Sequence, residues 1–310
     1  MASRGPPTFA EWLQGLVDPG VLGSMAAYHY IAVLLETVFR RGQILAPILR
    51  GQQIRDEAFS NFWIKFSGAR APPSDAPRVG SSALLPALLA TADGVVLDIG
   101  PGTGSQSELF TNPNLRKMYG AEPCLGLHAD LNAKIQACGL GSKYQILPCS
   151  AERKTLVPAL AEQGLLKTTR KKTKKKPDGK EEVVEVEGIF DTIVCVRVLC
   201  SVPNPRETIA GLYSLLKPGG KMLVCEHVVN PFWAGTRGMR KGSFGARFMQ
   251  FVYTWLGWSF FMGDCHLNRD TERMLLEAAG REGGWEKVDV ERWFEWSTLP
   301  YLSGTLVKRG

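Results

Sequence analysis

The sharpest chemical signal in the sequence is the run Asp98-Ile99-Gly100-Pro101-Gly102-Thr103-Gly104. Glycines at alternate positions let the backbone take positive φ and approach a ligand with no Cβ in the way. A dinucleotide fingerprint needs G-x-G-x-x-G, but the sixth position is Ser105 counted from Gly100 and Ser107 counted from Gly102. A pyrophosphate also favours a bare helix N-terminus, whereas Asp98 aims a carboxylate into the turn. That charge suits a nucleoside ligand carrying an ammonium and a sulfonium. Glu122 comes eighteen residues after Gly104, where an acidic side chain can accept both ribose hydroxyls. Ala151 and Glu152 follow the third apolar run, where a polar residue meets an adenine edge. For Glu152 a helix N-terminal carboxylate favoured by the macrodipole is an equal reading. Arg197, at the exit of the fourth run, completes the candidate cofactor set.

Two histidines are candidates on the acceptor side. His227 lies just beyond the fifth apolar run, and His266 sits in Asp264-Cys265-His266. Either could act as a general base or position an acceptor. A local hydrogen-bonding role for His227 and a helix-anchoring role for His266 are the plainer readings. Cys265 is not read as a nucleophile, because direct group transfer needs no covalent intermediate. No metal site is predicted.

These residues need strand ends to hold them, and the sequence supplies alternating strands and helices after about residue 80. VVLDIG (95–100), KMYGAEP (117–123), YQILPCSAE (144–152), FDTIVCVRVLCSV (190–202) and KPGGKMLVCEHV (217–228) read as strands one to five. Helices are expected through SELFTNPNLRKM after the glycine turn, over 155–166, over 205–216, and over 268–280 with Asn268 as cap and Gly280 as stop. WEKVDVERW and TLPYLSGTLVKR close the chain as a hairpin. Alternation of this kind implies a parallel sheet with right-handed crossovers. The expected fold is α/β, Rossmann-like, with a mainly parallel seven-stranded sheet, a C-terminal antiparallel hairpin and a helical N-terminal extension. The division is 1–80 for the extension, a membrane or lid segment, and 81–310 for the catalytic domain, with a Pro- and Gly-rich stretch at 68–80 between them.

The net charge of +7 does not describe a nucleic-acid face. Eight Lys and Arg fall between 167 and 180, inside an insertion spanning 167–188, and the remainder is nearly balanced. The insertion joins a helix to the start of strand four, so it emerges opposite the ligand crevice. It reads as a solvated loop, and no aromatic residues interleave the lysines as in single-strand nucleic-acid binders. The seven cysteines are scattered, odd in number and without a C-x-x-C pair, a pattern of neither a disulfide framework nor a zinc site. A reduced, intracellular protein is expected.

Two stretches are unusually apolar. From 19 to 35 there is no Asp, Glu, Lys or Arg. A bilayer span takes about 20 apolar residues, so this run is marginal as a span. A core-packed or oligomer-facing helix and an interfacial membrane helix are the competing readings. Residues 244–263 are dense in Phe, Trp, Tyr and Met and would be apolar almost all round as a helix. They read as a core or dimer helix, or as a lid that walls an apolar acceptor pocket or dips into a membrane interface.

VVLDIGPGTG, the acidic residue after strand two, FDTIVCVRVLCSVPNP and LLKPGGKMLVCEHV resemble, in order, the motifs of class I S-adenosylmethionine (SAM) methyltransferases. The last two segments, with GDCHLNRDT (263–271) and YLSGTLVKR, resemble the methyltransferase-like thiol S-methyltransferases of the endoplasmic reticulum and lipid droplets. The resemblance covers about 93–309. The chain departs from it in a longer N-terminal region, the Lys-rich insertion and His266 in place of the usual polar residue. It implies SAM as cofactor, methyl transfer to a small lipophilic thiol or phenol-type hydroxyl, and a place in the cytoplasm or on the cytosolic face of the endoplasmic reticulum. Peripheral or monotopic membrane contact and a small hydrophobic substrate are the expected partners, with no nucleic acid. A nicotinamide-dependent oxidoreductase is disfavoured by the failed glycine spacing. A membrane scaffold that kept the fold without activity predicts no SAM binding.

Overall fold

The computed structural model describes residues 7–70, 78–166, 188–231 and 242–310. The Lys-rich run and most of the 68–80 stretch lie outside the described residues. Helix α1 (Phe9–Leu35) opens on a capping box, with Glu11 N donating to Thr8 Oγ1 and Thr8 N donating to the Glu11 carboxylate. It continues through a π turn at Glu36–Arg40 into α2 (Ala46–Leu49) and α3 (Gly51–Arg70). After α4 (Leu85–Leu89) come β1 (Gly94–Ile99), β2 (Leu115–Ala121), α5 (His128–Ala137), β3 (Tyr144–Leu147), α6 (Arg153–Glu162), β4 (Phe190–Val196), α7 (Pro205–Leu215) and β5 (Leu216–His227). Helices α8 (Phe244–Trp255), α9 (Trp258–Phe261) and α10 (Thr271–Ala278) precede the closing pair β6 (Lys287–Trp293) and β7 (Tyr301–Val307).

The seven strands form one sheet in the order β3-β2-β1-β4-β5-β7-β6. The first five pair in parallel, and β7 runs antiparallel to both β5 and β6. This is the Rossmann-like arrangement expected, with its topological switch between β1 and β4. Ligands bind at that switch, outside the carboxyl ends of the strands. Each face of the sheet carries its own core. Helices α6, α7 and α10 cover one face through Leu156, Leu160, Ile209, Leu212 and Leu275. Helices α4 and α5 cover the other through Leu85, Leu89, Leu131 and Ile135.

Several element boundaries differ from the sequence reading. The helix expected through SELFTNPNLRKM is a single 3-10 turn at Ser107–Leu109. Asn112-Pro113-Asn114 breaks any helix there, and Leu115 onward is already β2, paired with β1. Strand β3 stops at Leu147, because Pro148 has no N–H for the ladder. The cap of α10 is Asp270, whose carboxylate accepts from Arg273 N, and not Asn268. Residues 244–263 divide into α8 and α9 at Gly257, which has φ 86°.

A third core joins the N-terminal helices to the carboxyl edge of the sheet. Ala26 of α1 and Phe62 of α3 pack with Cys200, Trp258, Met262, Cys265 and Leu267. The N-terminal helices therefore form one wall of the region above the strand ends.

Candidate functional site

The glycine turn has the backbone its sequence requires. Gly100, Gly102 and Gly104 have φ of 60°, 61° and 74°, the left-handed region where a Cβ is costly. A Cβ on Gly100 would meet Val198 Cγ2 at 2.5 Å, and one on Gly102 would meet Trp63 Nε1 at 2.9 Å. Trp63 belongs to α3, and Thr103 Oγ1 donates to Ser67 Oγ of the same helix at 2.9 Å. The turn is thus held between the sheet edge and α3.

Asp98, the last residue but one of β1, is fully buried. Its Oδ2 accepts from Tyr144 Oη at 2.9 Å, while Oδ1 has no partner. Tyr144 belongs to β3 and reaches Asp98 across β2 at Gly120, the residue paired with Asp98, where any Cβ would collide with the tyrosine ring. Burial pushes the Asp98 carboxyl up to about 7 against the lowering effect of the tyrosine hydrogen bond. A buried carboxylate with an orphaned oxygen is expensive unless a charge partner arrives, and a cationic ligand is such a partner.

Glu122 follows β2 and is 5% exposed. Its Oε2 accepts from Gly102 N at 2.9 Å and its Oε1 from Cys124 N at 2.8 Å. One carboxylate therefore fixes the glycine turn and the start of the next connection. Each oxygen keeps a further lone pair, which is what two ribose hydroxyls require. Burial raises its pKa from the ordinary glutamate value, against the lowering effect of the two backbone hydrogen bonds.

The other candidates are placed less directly. Ala151 is buried in the core under α6 and α7. Glu152 is the N-cap residue of α6 without a side-chain cap bond, and its carboxylate pairs with Lys154 at 3.2 Å. Arg197 has φ 57° and donates to Ser81 Oγ at 2.9 Å and Ser82 Oγ at 3.0 Å. His266 is half-buried, and its backbone N–H donates to Cys200 O at 3.0 Å, tying the 264–267 loop to the β4 exit.

His227 is not an open base. It is 4% exposed, with Nε2 3.1 Å from Cys265 Sγ and Nδ1 without a partner. Cys200 lies in the same cluster, and the ligating atoms of the three residues are within 4.8 Å of one another. The chain positions 200, 227 and 265 carry no spacing signal, so the grouping appears only in the fold.

Sequence reasoning also missed Glu226. Its Oε1 accepts from Val198 N at 2.9 Å and Leu199 N at 3.1 Å, pinning the turn that carries Arg197 and Cys200. Burial pushes this carboxyl up to about 7. Gln250 is a second omission. This buried polar residue of α8 accepts from Asn230 N and donates to Val228 O and Thr298 O, docking the helix on the β5 exit.

A family model described as a methyltransferase domain matches residues 76–288. The chain belongs to this methyltransferase family. It is similar to human thiol S-methyltransferase TMT1B, at 28% identity over 187 residues, which are 55% of this chain and 68% of the relative. The rat protein of the same name is 26% identical over 186 residues, with the same coverage. Among solved structures, an O-methyltransferase family protein from Burkholderia thailandensis is 13% identical with a TM-score of 0.45, covering 96% of this chain and 71% of that one. Geranyl diphosphate methyltransferase in complex with SAM is 12% identical with a TM-score of 0.47, covering 78% of this chain and 95% of that one.

The chain is a SAM-dependent methyltransferase. The donor fits the residues present: Asp98 with its orphaned oxygen, the three left-handed glycines and Glu122. The donor supplies an activated methyl on a sulfonium. Asp98 would balance its charge and Glu122 would orient its ribose, at a turn held by Trp63 and Ser67 of α3. Orientation of this kind contributes several kcal/mol to a group transfer.

Proposed function

We propose that the acceptor is a small lipophilic thiol, methylated on sulfur. The carrying observation is that the histidine at the end of β5, His227, is not open to act as a general base. His227 is enclosed and engaged with Cys265. A phenol or alcohol needs a positioned base, whereas a thiol with a reference pKa of about 8.5 is partly ionised near neutrality. The names of the curated relatives point the same way. A panel of alkanethiols, phenols and amines with labelled methyl donor tests this. Thiols are expected to lead phenols by about tenfold or more in kcat/KM, the span of one to two pKa units of acceptor ionisation. Phenols leading would overturn the reading and make hydroxyl methylation the second choice.

We also propose that the 1–80 extension and α8 seat the enzyme on a membrane surface. One helical stretch, Phe9–Arg40, is long and apolar enough to cross a membrane, and only 22% of its most apolar window is buried. Leu13, Val17, Val21, Tyr28, Ile31 and Leu35 of α1 are exposed along one face. Phe244, Phe248, Phe251 and Trp255 are 62%, 53%, 64% and 78% exposed at helical spacing along α8. The opposite face of α1 is packed on the domain. Tyr253 Oη donates to Leu16 O at 2.9 Å, Trp258 packs on Gly23, and Ala26 and Val33 are buried. A helix fixed to its own domain along this length lies in the interface and does not thread through it. Apolar patches of this extent mark interaction surfaces. Flotation with phosphatidylcholine vesicles should recover the protein, and the triple variant Phe248→Glu, Phe251→Glu, Trp255→Glu should lose about tenfold or more of the bound fraction, each removing roughly 1.5–3 kcal/mol of burial. A wild-type chain that stays with the soluble fraction as a dimer would assign these stripes to self-association instead.

A further inference from the structure

Among the described residues, one cluster joins two cysteines of the third core to a buried histidine and has no part in donor binding. Cys200 follows β4, His227 ends β5, and Cys265 lies in the loop between α9 and α10. All three are buried, at 3%, 4% and 7% exposure. The other buried cysteines, Cys149, Cys195 and Cys225, are not in a group of this kind. Here two sulfurs and an imidazole nitrogen converge within 4.8 Å, and one pair is already at 3.1 Å.

We propose that Cys200, His227 and Cys265 bind one thiophilic d10 cation, with zinc as the representative ion, leaving a fourth position open. Zinc binds thiolate sulfur at about 2.3 Å and imidazole nitrogen at about 2.0–2.1 Å, so tetrahedral ligand atoms stand roughly 3.3–3.8 Å apart. The cluster reaches that geometry with shifts of an ångström or less. Two thiolates, a neutral imidazole and a divalent cation sum to zero charge, which suits burial. Trp258 Nε1 donates to Cys265 Sγ at 3.3 Å, the kind of outer hydrogen bond that orients a metal thiolate. Two protein sulfurs and one nitrogen with a vacant position is the ligand set of catalytic zinc sites, and structural sites use four protein ligands.

The position gives the ion a task. The cluster stands at the carboxyl edge where β4 and β5 end, beside the crevice that holds the donor. Trp258 also lines a groove of about 850 Å³ between α1 and α8–α9, bordered by Gly20, Met25, Tyr253 and Leu256. This groove contains none of the strand-end carboxylates, and its mostly apolar lining suits the approach of an apolar acceptor. An acceptor thiol entering the fourth position would lose its proton to water and bind as thiolate. Its sulfur then bonds the methyl carbon as the carbon–sulfonium bond breaks and its electron pair returns to the donor sulfur. The product thioether, neutral and a weaker ligand, leaves. This acceptor role rests on the thiol reading above; the metal site does not.

The test uses the full chain purified without chelator. Elemental analysis is expected to give about one zinc per chain, falling below about a tenth in Cys200→Ser and Cys265→Ser and unchanged in Cys138→Ser, which lies outside the cluster. Cobalt added to the metal-free protein should give sulfur-to-cobalt charge-transfer absorption and the intense visible bands of a tetrahedral site. Calorimetry with SAM on the same variants checks that they are folded. Should either variant fail to fold, zinc protection of Cys200 and Cys265 from alkylation in the wild-type chain, read by peptide mass, replaces it. No bound metal with no cobalt bands, or alkylation indifferent to zinc, or a Cys200–Cys265 disulfide in protein blocked at lysis, would each overturn the site. Cobalt bands that an alkanethiol leaves unchanged would remove the acceptor role while the metal site stands. Thiol turnover in a metal-free enzyme would separate failure of the metal from failure of the thiol reading.

Discussion

Asp98→Asn is expected to stabilise the ligand-free protein above neutral pH while lowering its affinity for SAM by about a hundredfold, a change of roughly 2.7 kcal/mol. The two effects share one cause. Asp98 is fully buried, with one oxygen bonded by Tyr144 and the other orphaned, and burial pushes its carboxyl up to about 7. In the unfolded chain the same group titrates near 3.9. Between those two values the folded protein holds a proton that the unfolded chain has released, so stability from this group falls as pH rises and the full penalty is present above about 8. Asn keeps an acceptor for Tyr144 and carries no charge. The gap of about three units sets an upper bound on the order of 4 kcal/mol for the gain at pH 8, and the gain should vanish toward pH 4. The ionised form is the one a sulfonium and an ammonium favour. Wild-type affinity for SAM should accordingly rise as pH passes through 7, with proton release on binding, and the Asn variant should lose both features. Chemical denaturation at several pH values and calorimetry in buffers of different ionisation enthalpy read the two arms. Equal stability of wild type and variant at pH 8, or undiminished SAM affinity, would refute the assignment.

The parts legible in the sequence are those whose cause is local. Alternate glycines after a buried strand demand positive φ, and all three have it. The strands β1, β4 and β5 are short apolar runs between turn residues, and the hairpin β6–β7 follows from its alternation. The failures have non-local causes or weak local signals. The helix expected after the glycine turn fails because Pro113, between two asparagines, breaks it before the apolar residues that follow, which enter β2 instead. Helix α5 has a weak apolar pattern, since only Leu131 and Ile135 of its ten residues are buried. The Tyr144–Asp98 bond needs the register of three strands and the missing side chain at Gly120, neither of which a single strand reveals. Cys200, His227 and Cys265 come from three elements, so metal-ligand spacing along the chain is silent. Gln250 sits in an apolar run whose aromatic face turned outward, because its amide finds three backbone partners at the β5 exit.

Glu226 was invisible for a similar reason and carries the second large effect. Its carboxylate oxygen accepts the backbone N–H groups of Val198 and Leu199. That bond holds a turn in which Arg197 sits at φ 57°, a conformation uncomfortable for a residue with a Cβ. Glu226→Ala removes the acceptor and leaves both N–H groups without a partner, at about 1–3 kcal/mol each when buried. A loss of roughly 3 kcal/mol is expected, about 6–12 °C in Tm for a domain of this size. Glu226→Gln keeps a carbonyl oxygen in the same place and resembles the protonated acid, so its stability should stay within about 1 kcal/mol of wild type. Activity should follow the turn and not the charge. The Ala variant displaces Arg197 and Cys200 at the acceptor edge and should lose about a hundredfold in kcat/KM, the scale expected for an ångström of misplacement. SAM affinity, governed by the β1 and β2 ends, should change far less. If the Gln variant fails as badly as Ala, the charge of Glu226 and not its hydrogen bonds to the turn is what the site needs.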